Sequence, residues 1–153
     1  MRSYQEFKNI WLGEECRDGQ CVALIREYTE GFHDTPVLER LGIDGGAEGL
    51  FTRYETDVGP VSRNVFERIH YTQGSTLRPE PGDIVVFGPS STNKWGHVGI
   101  MDSENGNCIF ILDQNGIAAM RGETVKVKLS IWTMERVLGW LRFRRKDASS
   151  ESK

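Results

Sequence analysis

From Tyr4 to Leu12, and again from Cys21 to Glu30, apolar residues recur at three- and four-residue intervals, the spacing of helices that bury one face. Tyr4, Phe7, Ile10 and Trp11 share the first face, and Val22, Leu24, Ile25 and Tyr28 the second. Between Gly31 and Gly59 turn formers dominate. Short helices are expected near Val37–Leu41 and Ala47–Arg53, in a stretch that also suits a surface loop bordering a cleft. Val61 to Ile69 reads as a helix with Phe66 and Ile69 inward. After residue 77 the period shortens. The turn cluster Arg78-Pro79-Glu80-Pro81-Gly82-Asp83 precedes the near-continuous apolar run Ile84-Val85-Val86-Phe87, which predicts a strand. Residues 95–101 and 108–114 predict two more, joined at Asn105-Gly106, and Thr124–Leu129 and Val137–Phe143 a further two. Helices followed by antiparallel strands give an α+β layout, N-terminal helices packed on a sheet.

Register decides which side chains meet. With a three-residue loop Glu104-Asn105-Gly106, Ser103 faces Asn107 and His97 faces Asp113 directly, their Cβ atoms about 4.5–5.5 Å apart. Asn115, two residues on, shares that face. A two-residue Asn105-Gly106 turn would send Asp113 to the other face, so a catalytic pairing requires the longer loop.

Cys21 gives that pairing its chemistry. At the first turn of a helix a thiol meets unsatisfied N–H groups and the positive end of the dipole, which favours thiolate. If the sheet face packs against this helix start, Cys21 is the nucleophile, His97 the base, and Asp113 or Asn115 holds the imidazole. The Cys21 backbone N–H, with the Gln20 or Asn115 side chain, is a candidate oxyanion site, and Trp95 a candidate substrate contact. Against this stands the ordinary reading of each residue alone: a buried inert cysteine, a structural histidine, a strand end at Asp113. Only their joint placement favours chemistry. His33 and His70 read as surface residues.

Composition narrows the class. A chain of 153 residues with 38% apolar residues and 17 glycines has an ordinary globular balance and length for one domain, expected over residues 1–146 with a disordered tail at 147–153. A formal charge of −3 gives no global pull toward nucleic acid or an anionic membrane. The N-terminus lacks a signal-peptide core, and no apolar run reaches the roughly 20 residues that span a bilayer. The expectation is a monomer made in the cytoplasm, without membrane insertion. Three cysteines imply no disulfide framework: Cys108 reads as core, and Cys16 is ambiguous.

Gly19-Gln20-Cys21 opening a helix, Pro81-Gly82-Asp83-Ile84-Val85-Val86-Phe87, Gly96-His97-Val98-Gly99-Ile100 and Leu112-Asp113-Gln114-Asn115 resemble, in that order and spacing, the CHAP family of cysteine- and histidine-dependent amidohydrolases and peptidases. The resemblance runs from about residue 5 to Leu138-Gly139-Trp140-Leu141. It implies a papain-like α+β fold and cleavage of amide bonds in peptidoglycan. It also implies Cys21 as nucleophile, His97 as base, and an acid and an amide at Asp113 and Asn115. Relatives often carry Glu as the acid, so the shorter Asp113 leaves open which residue orients His97. Gln20, where NlpC-type hydrolases usually have Asp, and the lack of a histidine near residue 113 favour the CHAP side. Some relatives bind calcium through an Asp-rich loop before the cysteine. Here Glu14, Glu15 and Asp18 lack the Asp-x-Asp alternation and read as a solvated acidic turn, so no metal or cofactor is expected. A compact domain of this kind resembles a phage endolysin, reaching the wall once the membrane is opened. The alternatives are a contact-delivered toxin or wall-remodelling amidase of the same chemistry, and a module that binds wall peptides without cutting them.

Overall fold

The computed structural model describes residues 3–17, 21–34, 47, 49–52, 64–114 and 125–144. The first helix, α1, spans Tyr4–Trp11 and opens on a capping box, Ser3 accepting from the Glu6 N–H while the Glu6 carboxylate returns to Ser3. The second, α2 (Cys21–Arg26), continues as a π-helical stretch, Glu27–Phe32. A short α3 covers Gly49–Thr52. Six strands follow: β1 (Phe66–His70), β2 (Ile84–Phe87), β3 (His97–Asn105), β4 (Cys108–Asp113), β5 (Lys128–Thr133) and β6 (Val137–Phe143). They form one antiparallel sheet in the order β1-β6-β2-β3-β4-β5. The α+β architecture expected from the sequence is the one observed.

The sheet curls. In this order β2, β3 and β4 lie between β5 and β6, which at about 4.8 Å per strand puts them some 19 Å apart in a flat sheet. Only Met134–Arg136 connects them, and from Thr133 to Val137 a chain reaches at most about 14 Å. Trp132 of β5 therefore comes back over the sheet, its ring 4.5 Å from that of Phe87 on β2. Each face of the sheet has its own core. Under the helices, Phe7, Leu24, Ile25 and Tyr28 meet Ile84, Val86, Val98, Ile100 and Leu112. Inside the curl, Val85, Phe87, Met101, Ile111 and Trp140 pack together. Each such side chain contributes about 1.5–3 kcal/mol of burial.

Some sequence expectations need correction. The helix expected over residues 61–69 gives way to strand β1 from Phe66. Phe66 and Ile69 are spaced as on a helix, but Phe66 enters the helix-side core and Ile69 the inner one, so they occupy opposite faces of a strand. Residues 61–63 and the helix expected at Val37–Leu41 lie outside the described residues. The strand expected at Thr124–Leu129 begins only at Lys128, where pairing with Asp113 starts. Val127 instead exchanges backbone bonds with Gly13 and Glu14. Cys108 is half-buried rather than core, and Cys16 is fully buried; both are free thiols.

The β3–β4 hairpin differs from both anticipated loops. Asn105 pairs with Cys108, leaving Gly106-Asn107 as a two-residue turn, with Gly106 at φ +62° in the first position as a type II′ turn requires. That offset alone would put Asp113 on the wrong face. A bulge at Asp102 absorbs one residue, so that Met101 pairs with Ile111 and Ile100 with Leu112. Carried on, Gly99 stands opposite Asp113, and His97 lies diagonally from it on the same face. Asp102 itself is gripped by α1, accepting from Tyr4 Oη at 2.7 Å and pairing with Lys8 Nζ at 2.8 Å.

Candidate active site

Three elements converge on His97, the first residue of β3. Cys21 opens α2, which packs on β3, and its thiol lies near enough to the imidazole to help raise its pKa. Asp113 ends β4, and its Oδ2 lies 2.7 Å from His97 Nε2. The diagonal offset places these two where a directly opposed pair was expected. It works because Gly99, across from Asp113, has no side chain: a Cβ there would stand 3.2 Å from Asp113 Cβ and collide with Ile111 Cγ2.

Asp113 is 3% exposed and fully engaged. Ser130 Oγ donates to Oδ1 at 2.7 Å, and Trp132 Nε1 donates to Oδ2 at 3.3 Å. Surrounded by donors, the carboxylate acts as acceptor throughout, so His97 Nε2 carries a proton and Nδ1 is left for Cys21. Trp132 also stacks on the imidazole, ring centroids 4.9 Å apart and 17° from parallel, and Phe87 lies against both rings, 4.5 Å from Trp132 and 5.9 Å from His97. Burial alone would lower the His97 pKa. The hydrogen bond to Asp113, then the nearby Cys21 sulfur and the charges of both, outweigh that effect and push it up to about 9. The site thus favours imidazolium beside sulfur at neutral pH.

The approach loops are tied down by side chains that sequence reasoning passed over. Gln114, fully buried, accepts from the Cys16 N–H at 2.8 Å and donates to the Cys16 carbonyl at 3.1 Å, clamping the segment before Cys21 onto the end of β4. Asn93 accepts from the Trp95 N–H at 3.1 Å and donates to the Gly96 carbonyl at 2.7 Å, fixing the turn into His97. Ser130 and Trp132 were also missed; their one sequence signal is i, i+2 spacing on a strand. Asp83 of the Pro-Gly-Asp motif is structural, bound by Arg142 of β6 through Nε and Nη2.

Trp95 is 44% exposed, with Lys94 Nζ 4.7 Å from its ring centroid. Gln20 and Asn115, the other expected site residues, lie outside the described residues. His70 is exposed, its ring 5.0 Å from Phe51. His33 is not the surface residue expected: it is half-buried among Tyr28, Phe32 and Phe143, whose aromatic stripe brings it inward. A groove of about 670 Å³ is lined by Phe51, His70, Tyr71, Gly88, Arg136 and Leu138, and by none of Cys21, His97, Asp113 and Trp95. Glu14 and Glu15 are exposed, and the described residues contain no cluster of three or more carboxylate, His or Cys groups that would hold a metal. No helix among the described residues is long and apolar enough to cross a membrane.

The CHAP domain family model matches residues 11–115. No curated protein matches the chain. The fold is similar to Ly7917 solved with the hydrolyzing product of MDP, at 20% identity and a TM-score of 0.65, over 92% of this chain and 61% of that one. A second Ly7917 structure gives 19% and 0.61, over 93% and 62%. The wild type endolysin LysIME-EF1 gives 21% and 0.67, over 97% and 67%. The chain thus spans about three fifths of the length of Ly7917.

Proposed function

The chain belongs to the CHAP domain family, and from that premise we propose that it is a peptidoglycan hydrolase cutting amide bonds of the bacterial wall through Cys21 and His97. One observation carries the reading: a single imidazole that a helix-start thiol approaches and that is hydrogen-bonded to a buried carboxylate, itself accepting from two further donors.

In the proposed reaction the Cys21 thiolate adds to the amide carbonyl carbon, and the new oxyanion is held by the Cys21 backbone N–H with the side chain of Gln20 or Asn115. His97 imidazolium gives its Nδ1 proton to the amine as the C–N bond breaks, leaving an acyl thioester. Neutral His97 then takes a proton from water, whose oxygen adds to the thioester. Collapse expels Cys21 as thiolate beside the re-formed imidazolium. Asp113 accepts from His97 Nε2 and holds the imidazole orientation. Such proton transfer contributes about 10²–10⁴ in rate. Exposed Trp95 offers the wall peptide a face for stacking. No metal takes part in this scheme, and the setting proposed is that of a phage endolysin.

The test is turbidity of purified sacculi. Wild-type protein should clear them and Cys21→Ala should not, with mass spectrometry of the soluble fragments naming the bond. Equal clearing by both proteins, or none by either, overturns the assignment.

A further inference from the structure

Two residues of the edge strand β5 meet the catalytic acid from the side opposite α2. Ser130 Oγ holds Asp113 Oδ1, and Trp132 Nε1 reaches Oδ2, the same oxygen that faces His97. The Trp132 ring in turn lies flat against the imidazole. Asp113 has a short side chain, with two torsions to fix before Oδ2 points at Nε2. A donor on each oxygen fixes both, and the indole plane removes the tilt of the imidazole. The arrangement exists because the sheet curls; in a flat sheet the Trp132 ring would not reach His97. Neither residue can touch a substrate carbonyl poised at Cys21, since Asp113 and His97 lie between.

We propose that Ser130 and Trp132 are positioning residues, a second layer on β5 that locks the Asp113 carboxylate and through it the His97 ring. The proposal rests on the Cys21–His97 reading but not on the identity of the substrate. The groups facing His97 are Cys21 from α2 and Asp113 from β4, while Lys128 of β5 is the register partner of Asp113.

The experiment is alkylation of Cys21 by iodoacetamide, followed by peptide mass spectrometry so that Cys16 and Cys108 are counted separately. At pH 6 reaction at the sulfur draws on the imidazole beside it, whereas at pH 10, above the ordinary thiol pKa of about 8.5, it does not. In Ser130→Ala the pH 6 rate should fall about tenfold, the scale of one hydrogen bond to a charged group. The pH 10 rate should stay within about twofold of wild type. Ser130→Thr, which keeps the hydroxyl, should restore the pH 6 rate. Trp132→Phe, which keeps a ring but loses the donor, should slow it by about threefold. A wild-type rate for Ser130→Ala at pH 6 overturns the proposal. So does an equal change at pH 6 and pH 10, which would mean only a loosened strand. Because no wall substrate is involved, a protein that fails to clear sacculi while showing this pattern sinks the substrate and leaves the positioning pair standing.

Discussion

Replacing Asp113 by Asn keeps the size of the side chain and removes its charge, which isolates what the carboxylate does for His97. The imidazole is 12% exposed, and its pKa is pushed up to about 9 against an ordinary 6.5. At 1.36 kcal/mol per pH unit that difference corresponds to about 3 kcal/mol favouring imidazolium, shared between Asp113 and Cys21 and already net of a burial effect that acts the other way. In Asp113→Asn the burial remains and the larger counterweight is lost. The alkaline limb of the sacculus-clearing profile, near pH 9 in the wild type, should therefore move down by about 1–2 pH units, with a loss of about 10²-fold at pH 7. Stability follows the same logic. A folded pKa above the unfolded one stabilises fully below about pH 6.5 and ceases to do so as pH climbs through 9. Thermal unfolding of the wild type should accordingly fall between pH 7 and pH 10, and that of Asp113→Asn should fall less. Clearing by Asp113→Asn with an unmoved alkaline limb would refute the claim that this carboxylate holds the imidazolium.

Gln114→Ala leaves the Cys16 N–H and carbonyl without the Gln114 amide in a fully buried place, which costs about 2–4 kcal/mol, so Tm should drop by about 6–12 °C by calorimetry. Clearing activity should fall with it, because the same clamp leads into Cys21; an unchanged Tm would show the clamp to be dispensable. Clearing should persist in excess EDTA. Loss that calcium alone restores would overturn the metal-free scheme.

Much of the architecture was legible because the two periods are clean. The helix at Tyr4–Trp11, the strand Ile84–Phe87 and the strand Val137–Phe143 follow directly from apolar spacing. Phe66–His70 was not, because an apolar pair three residues apart fits a helix as well as a strand with both faces covered. His97 and Asp113 were identified by a correct guess of face and a wrong guess of register, since a bulge depends on tertiary grip, here by Tyr4 and Lys8, that no local pattern announces. Ser130 and Trp132 were invisible for a similar reason. Nothing local tells a strand that it will fold back across the three that separate it from β6.

The bulge at Asp102 has a consequence for how this hairpin can vary. Along a ladder every residue added or removed on one side exchanges inside for outside, so the hairpin keeps an even-and-odd count. Asp102 is the odd residue that reconciles a two-residue tip with an acid facing inward. Lengthening the tip by one residue is compatible with chemistry only if the bulge is given up at the same time, and then α1 loses its anchor. The arm that carries the acid and the helix that lies across it are thereby bound to change together or not at all.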